Sequence, residues 1–512
     1  MTTASVGFSA LNAGDLIRHN RRPKTVAVID LRDGGREWTF AAFEAATDAF
    51  ARRMADRCAR GTPVAIVADN GAPFLMAWLG LMRAGLVAVP VNHKLPPATV
   101  DHILSDAEIG LALVDRAYRT LLPDDFACLD LEVEAEAAAA SPPTPGAPLA
   151  AIPRPGEIAE ILYTSGSTGR PKGVPLSHEG QLWALGKHAQ ADPPADERTL
   201  IVAPLYHMNG LFNASLALVN GIAIVLMPRF DARLYLEAVA RYRCTALSGV
   251  PTMFALMARE EVLVRTLDLG SVRRITIGSA PLTEALVARV QGIFPNAAIR
   301  NGYGITEAGP SIFGDHPAGL ARPLLSLGHP MPEISWRLTG GASPDEGMLE
   351  LKTPALFGEY LNLPEATAER LRDGWYATGD VMRRDSNGFF YFVGRADDMF
   401  VCGGENVYPG EIERMLERHP EVAQAAVVSV PDEIKGHIPI AFVVRSPGSE
   451  VSADELKAYA LRNGPAYSHP RAFVFIDRLP VAGTHKIDKR PLLDSALETA
   501  RSLTRRGEPR HA

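Results

Sequence analysis

Cysteine is scarce in this chain: four in 512 residues, Cys58, Cys128, Cys244 and Cys402, with no CxxC pair among them. That spacing offers neither a disulfide framework nor a zinc cluster, and it suits a reducing compartment, so a cytoplasmic location is expected. A basic excess is also missing. Lys and Arg number 52 against 59 Asp and Glu, a formal net charge of −7, which argues against nucleic acid as a partner. Long apolar runs are lacking too. Residues 74–82 are followed by Arg83, and residues 211–227 are broken by Asn213, Asn220 and Gly221. Neither approaches the ~20 apolar residues of a bilayer span. The first 20 residues lack a basic stretch leading into an apolar one, so no signal peptide is expected.

What remains is ordinary globular material, 47% hydrophobic and 22% charged, with length enough for two to four folding units. Short apolar runs alternate with amphipathic stretches. Strands are expected at 62–68, 86–91 and 110–114, with helices at 72–85 and 97–106 between them, a pattern of parallel sheets with helical crossovers. An Ala- and Pro-rich patch at 135–150 reads as a surface connector. Alternation resumes from 199 to about 301, including a buried helix before the Asn220-Gly221 turn and a strand at 222–227. Residues 327–393 read as a small antiparallel β unit. After Gly394 a compact βαβ-like tail is expected, with a helix at 410–418, strands at 422–430 and 440–444, and a further helix whose Ser452 and Glu455 have capping-box spacing. The final dozen residues read as a frayed basic terminus.

The chemistry concentrates in a few segments. An apolar strand at 159–163 runs into Thr164-Ser165-Gly166-Ser167-Thr168-Gly169, followed by Arg170-Pro171-Lys172-Gly173. Glycines let backbone N–H groups curl around an anion, hydroxyls add donors, and Lys172 supplies a point charge suited to phosphate. The spacing is not that of a Walker A loop. Taken alone, the segment also fits a flexible turn.

In chain order the sequence then shows Pro204-Leu-Tyr-His-Met-Asn-Gly210, Asn301-Gly-Tyr-Gly-Ile-Thr-Glu307, Tyr376-Ala-Thr-Gly-Asp380, Gly394-Arg-Ala-Asp-Asp398, Gly403-Gly-Glu-Asn-Val-Tyr-Pro-Gly-Glu-Ile-Glu413 and Lys486-Ile-Asp488. With the loop at 164–174, this series resembles the adenylate-forming superfamily of acyl- and aryl-CoA synthetases, nonribosomal adenylation domains and luciferases. It is most similar to CoA ligases of the 4-chlorobenzoate and 4-coumarate type, and the resemblance spans nearly the whole chain.

The resemblance implies an α/β fold: a large N-terminal domain, residues 1–394, of two α/β subdomains plus a small β-barrel-like unit, and a small mobile α+β cap, residues 395–512, with a hinge near 395–398 at Asp397. It implies ATP, Mg²⁺ and CoA as cofactors and cosubstrates, a small carboxylic acid as substrate, and a monomer or homodimer. Carried over position by position, Thr164 to Gly169, Lys172, Ser279, Ala280, Pro281 and the run Asn301 to Gly304 would bind nucleotide. Thr306 would donate to the α-phosphate, Glu307 and Thr168 would hold the metal, and Tyr303 would lie on adenine. Asp380 would accept the ribose hydroxyls and Arg395 would contact ribose and phosphates. Lys486 would be the catalytic lysine of adenylate formation, and His207 the gate between acyl pocket and thiol tunnel. Gly403, Gly404 and Glu405 would line the CoA tunnel after the cap rotates. Without the family frame, Asp380 reads as a turn residue, His207 as a structural histidine and Lys486 as a solvated charge.

The acyl pocket would be lined by His207, Met208, Asn209, Phe212, Gly278, Gly304, Ile305, Ala308 and Gly309. This wall is apolar or small and carries no Arg or Lys, which disfavours a second substrate carboxylate. Glycines at 304 and 309 leave flat space for a ring, and Asn209 could bond a ring hydroxyl. An aromatic or arylpropenoic acid is therefore the expected substrate, with a short-to-medium aliphatic acid as the alternative. A non-catalytic nucleotide-binding relative is the alternative from another class; Glu307, Asp380 and Lys486 together argue against it. No carrier-protein domain fits in the 15 residues after Leu497, so free CoA is the expected acceptor. His485 stands where the lysine motif usually has glycine.

Overall fold

The computed structural model describes residues 10–17, 22–142, 149–165, 170–190, 193–432, 434–481 and 486–507. Gly166 to Gly169 and His485 therefore lie outside the described residues, as does the side chain of Ser165.

Two parallel sheets form the body. The first has six strands in the order Cys128–Asp130, Leu111–Val114, Pro63–Val67, Val87–Pro90, Ile158–Ser165 and Pro171–Ser177, all parallel except the last, which turns back antiparallel. The second has seven, from Ala298–Gly302 through Arg274–Gly278, Ala246–Gly249, Arg198–Ile201 and Ala223–Leu226 to Val26–Asp30 and the antiparallel edge Arg36–Thr39. Strands buried on both faces are near-continuous aliphatic runs, as in VAIV at 64–67 and AIVL at 223–226, each wholly buried. The helix Ala72–Arg83 packs against Pro63–Val67 and Val87–Pro90 of the first sheet and is buried at every position but Pro73. Its last residue, Arg83, is fully buried and paired bidentately with Glu44, both contacts at 3.0 Å.

A third, antiparallel unit follows: Ser335–Ser343, Glu346–Lys352, Trp375–Arg384 and Leu371–Arg372, with Phe390–Arg395 also paired to Trp375–Arg384. The expected α/β body with a β unit is what the chain forms. Beyond it, residues from Phe400 onward build a separate hydrophobic core around Val427, Ile440 and Phe442.

Three expectations need correction. Residues 135–139 belong to the helix Leu131–Ala139, with Ala135 and Ala138 buried, because alanine is the best helix former and its small face packs closely. Val422–Asp432 and Gly436–Arg445 pair antiparallel; the βαβ unit lies one step later, where the helix Ala453–Asn463 leads to the parallel strand Ala472–Phe475. The capping box at Ser452 is fully formed. Of the basic end, residues 501–507 are not frayed, because the helix Arg490–Gly507 includes them, and 508–512 lie outside the described residues. Among the described residues, no helix is long and apolar enough to cross a membrane.

Candidate active site

The carboxyl ends of the second sheet's strands open into a cavity of about 1340 Å³, whose wall also includes residues of the first sheet, the β unit and Lys486. Crevices at the strand ends of open parallel sheets are the usual ligand sites of α/β proteins.

One polar wall is a turn closed by mutual backbone bonds between Ile305 and Gly309, at 2.9 and 2.8 Å. Its tip carries Thr306 and Glu307. Glu307 is 7% exposed, accepts a 2.8 Å hydrogen bond from the Tyr360 hydroxyl, and leaves its other oxygen without a protein donor among the described contacts. Tyr360 lies 3.3 Å from the Tyr376 hydroxyl, and the Lys172 ammonium stands 5.1 Å from the Tyr360 ring centre. A cation placed over a tyrosine face is held there without losing its charge to a carboxylate.

A second wall follows from sheet register. Asp380 and Arg395 are direct cross-strand partners, and their side chains meet at 2.9 Å. Arg395 also reaches Asp397 at 3.3 Å, which in turn meets Arg370 at 3.3 Å. The Tyr303 hydroxyl donates to Asp380 at 2.5 Å. Burial pushes the Asp380 carboxyl up, while Arg395, Tyr303 and Lys486 pull it back down.

Lys486 reaches this wall from beyond the β unit. Burial lowers its ammonium below the usual lysine range, with Asp380 opposing and Arg395 reinforcing the shift. The side chain itself remains open to the cavity. His207, at the N-cap of the helix Met208–Val219, feels Lys486 in turn: desolvation first, then Lys486 and Lys94, hold its imidazole down at about 4. His207 is therefore neutral at physiological pH, and its buried Nε2 has no partner among the described residues.

The helix Met208–Val219 supplies the apolar wall. Met208, Phe212 and Leu216 share one stripe four residues apart, with Asn209 and Asn213 beside them. The opposite face, Leu211, Ala214 and Leu218, is buried in the core.

Most residues singled out from sequence converge here: Thr164, Lys172, His207, Met208, Asn209, Phe212, Gly278, Ser279, Gly302, Tyr303, Gly304, Ile305, Thr306, Glu307, Arg395, Asp397 and Lys486 all line the one cavity. Others do not. Ala308 is fully buried in the core and Gly309 faces Ala355, so neither forms pocket wall. Gly309 is required by the turn, at φ +117°. Gly304 does line the cavity, but a β-carbon there would lie 2.1 Å from the Pro310 carbonyl oxygen; backbone crowding, not room for a ring, explains that glycine. Ala280, Pro281 and Asn301 stand outside the wall, and the Asn301 amide is committed to the Leu325 carbonyl at 2.9 Å. Asp380 is not itself in the wall, but its partners Tyr303 and Arg395 are. The Asn209 side-chain oxygen is occupied by Asn213, at 2.7 Å. The Gly403–Glu405 loop is exposed away from the cavity. Basic residues are present in the wall after all, but paired: Lys187 with Glu333 at 2.7 Å and Arg300 with Asp315 at 3.1 Å.

Tyr360, Arg370, Asn213, Trp183, Lys187, His188 and Glu333 carry no sequence signal of a role in the site, whereas Tyr376 opens the Tyr376–Asp380 segment but had no role assigned to it. The others lie outside the glycine-rich segments, and only the long-range pairing of strands and helices brings them to the site.

An AMP-binding enzyme model matches residues 17–361, and the model of the AMP-binding enzyme C-terminal domain matches residues 411–486. The chain belongs to this family of adenylate-forming enzymes. A feruloyl-CoA synthase from Amycolatopsis sp is 34% identical over 92% of this chain and 96% of its own. The 4-coumarate–CoA ligase-like 5 of Oryza sativa subsp. japonica is 29% identical over 98% and 92%. Among solved structures, the anthranilate CoA ligase AuaEII in complex with anthranoyl-AMP superimposes with a TM-score of 0.83 at 26% identity, over 96% of this chain and 98% of that one.

Proposed function

We propose that this AMP-forming acid–thiol ligase joins an aromatic or arylpropenoic acid to CoA in two steps. The carboxylate attacks the α-phosphate of ATP, releasing pyrophosphate and leaving an aryl-adenylate. The CoA thiol then attacks the acyl carbonyl, its proton is lost, and AMP departs. The observation that carries the reading is the meeting of Lys486, Arg395, Lys172 and Glu307 around one cavity whose other wall is the Met208–Phe212–Leu216 stripe.

The first step brings two anions together, so cations must be fixed before the reaction. Lys172 and Arg395 serve the phosphates and Lys486 the oxygens of the reacting pair. Asp380, held by Arg395 and Tyr303, accepts the ribose hydroxyls, and Thr164, Ser279 and Thr306 donate to phosphate. Glu307 fits a hard divalent cation, because it is a buried carboxylate with one oxygen unengaged. Mg²⁺ is bound by one or two carboxylates plus substrate phosphates, which agrees with the lack of any larger cluster of ligating side chains among the described residues. Such an ion would screen the phosphate charge.

With Lys486 in the cavity and Gly403–Glu405 outside it, the cap holds the orientation suited to adenylate formation. We assign the body to residues 1–394 and the cap to 395–512, turning at Asp397, whose contacts to Arg370 and Arg395 are solvent-accessible and can be exchanged. His207, neutral beside Lys486 and with its Nε2 unpartnered among the described residues, gates the way from acyl pocket to thiol. The aryl preference is supported by the stripe's Phe212, by the names of the relatives and by the ligand of the superimposed ligase. A panel of benzoates, cinnamates and C4–C10 aliphatic acids, assayed for pyrophosphate release with and without CoA, tests it. Turnover of aryl acids with CoA-dependent release is expected; turnover confined to aliphatic acids overturns the substrate class.

A further inference from the structure

The far end of the acyl cavity is polar in a way its amino-acid types did not announce. Side chains on one face of a strand recur every second residue, ~6.6 Å apart. Across the second sheet, Gly278 lies beside Gly302, and two residues deeper Ser248, Thr276 and Arg300 stand in register, all of them in the cavity wall. A ligand passing the two glycines therefore meets a hydroxyl- and guanidinium-bearing row. Arg300 is engaged by Asp315. The Ser248 hydroxyl is buried with no partner among the described residues.

His188 closes the same end. It follows the helix His178–Gly186, its ring meets Phe212 edge-on at 5.8 Å, and it senses the charges of Arg300 and Asp315. Its Nε2 is buried and has no hydrogen-bond partner among the described residues. Burial, then Arg300, keep the imidazole below its usual range, so the ring is neutral and can either donate or accept. Phe212 lies five residues beyond His207, ~7.5 Å along the helix, so His188, packed against it, stands about a ring's length from the reacting end. A buried, unpaired imidazole nitrogen in a binding cavity is costly unless the ligand satisfies it.

We infer that His188 is a specificity residue that hydrogen-bonds a hydroxyl on the far side of the substrate's ring, so that the preferred acids are phenolic. This rests on the aryl-acid reading above and names the substituent that site selects.

The test uses the purified full chain with ATP, Mg²⁺ and CoA, comparing 4-coumarate with cinnamate and 4-hydroxybenzoate with benzoate. Wild type should favour the hydroxylated member of at least one pair by about tenfold in kcat/KM, mostly through KM. His188→Leu should remove that preference, and His188→Gln, which keeps a donor and an acceptor, should restore part of it. Thermal melting of both variants identifies a folding defect, in which case the ratio is read from His188→Gln against His188→Asn. Aryl turnover with a hydroxyl preference that is absent, or that survives His188→Leu, overturns this inference alone. No turnover of any of the four acids overturns the aryl-acid reading and this inference with it.

Discussion

At the end of the cavity that Lys486 enters, charged groups are linked in a chain, Arg370 to Asp397 to Arg395 to Asp380, with Tyr303 closing it and Glu307 held nearby by Tyr360. At the end that His188 closes, Phe212, Leu216 and Met331 stand beside one ion pair, Arg300 with Asp315, and the His188 Nε2 and Ser248 hydroxyl have no partner among the described residues. The contrast reflects what each end must do. Phosphate chemistry needs charges fixed in advance, and mutual pairing fixes them. Acid selection needs surface that is incomplete until the right ligand fills it, since a buried polar atom left unpaired penalises the wrong one.

If this division holds, substitutions at the charged end should slow every acid alike and those at the other end should reorder acids. The largest effect is expected for Lys486→Ala: adenylate formation should fall by at least ~10²-fold, as for loss of a fixed charge stabiliser. Thioester formation from prepared aryl-adenylate should change only a few-fold. Quenched-flow assays of the separate half-reactions check this, and equal losses in both would contradict the assignment. Glu307→Gln should follow, at about 10²-fold in pyrophosphate release for all acids and with a weakened Mg²⁺ dependence; Tyr360→Phe should move the same way by a few-fold. Asp380→Asn should raise the KM for ATP by about tenfold while leaving the order of acids intact.

The pH profile sharpens the same comparison. Lys486 must be charged to act, and its folded-state value lies below the ordinary lysine range. Its charge is therefore lost at lower pH than a solvated lysine's. The kcat/KM for ATP in adenylate formation should fall on that alkaline limb, since it reports the free enzyme. Thioester formation should lack the limb. The smallest effect belongs to the acyl end: Phe212→Ala should raise KM for aryl acids about fivefold and leave the KM for ATP unchanged.

How much of this was legible in the sequence follows the same line. The parallel sheets were readable because strands such as 64–67 and 223–226 are short aliphatic runs between helical stretches. The charged end was readable because its residues sit in compact glycine-containing segments that name their own chemistry: Thr306 and Glu307 at a turn, Asp380 after Gly379, Lys486 before Ile487. Ala308 and Gly309 were misplaced because a motif's neighbours share its sequence but not its direction; one side of that turn faces the core. His188 and Asn213 were invisible because nothing local marks them. Only the packing of the helix Met208–Val219 over the sheet makes them wall, and the pairing of Lys187 with Glu333 joins segments nearly 150 residues apart.

The most direct measurement is a single-turnover reaction of the full chain with ATP, Mg²⁺ and 4-coumarate, first without CoA and then with it. The account predicts bound aryl-adenylate and an equal amount of pyrophosphate in the first stage, and conversion to aryl-CoA and AMP on adding CoA. Failure to form adenylate before CoA is added, or release of AMP on CoA addition without a thioester product, would contradict it.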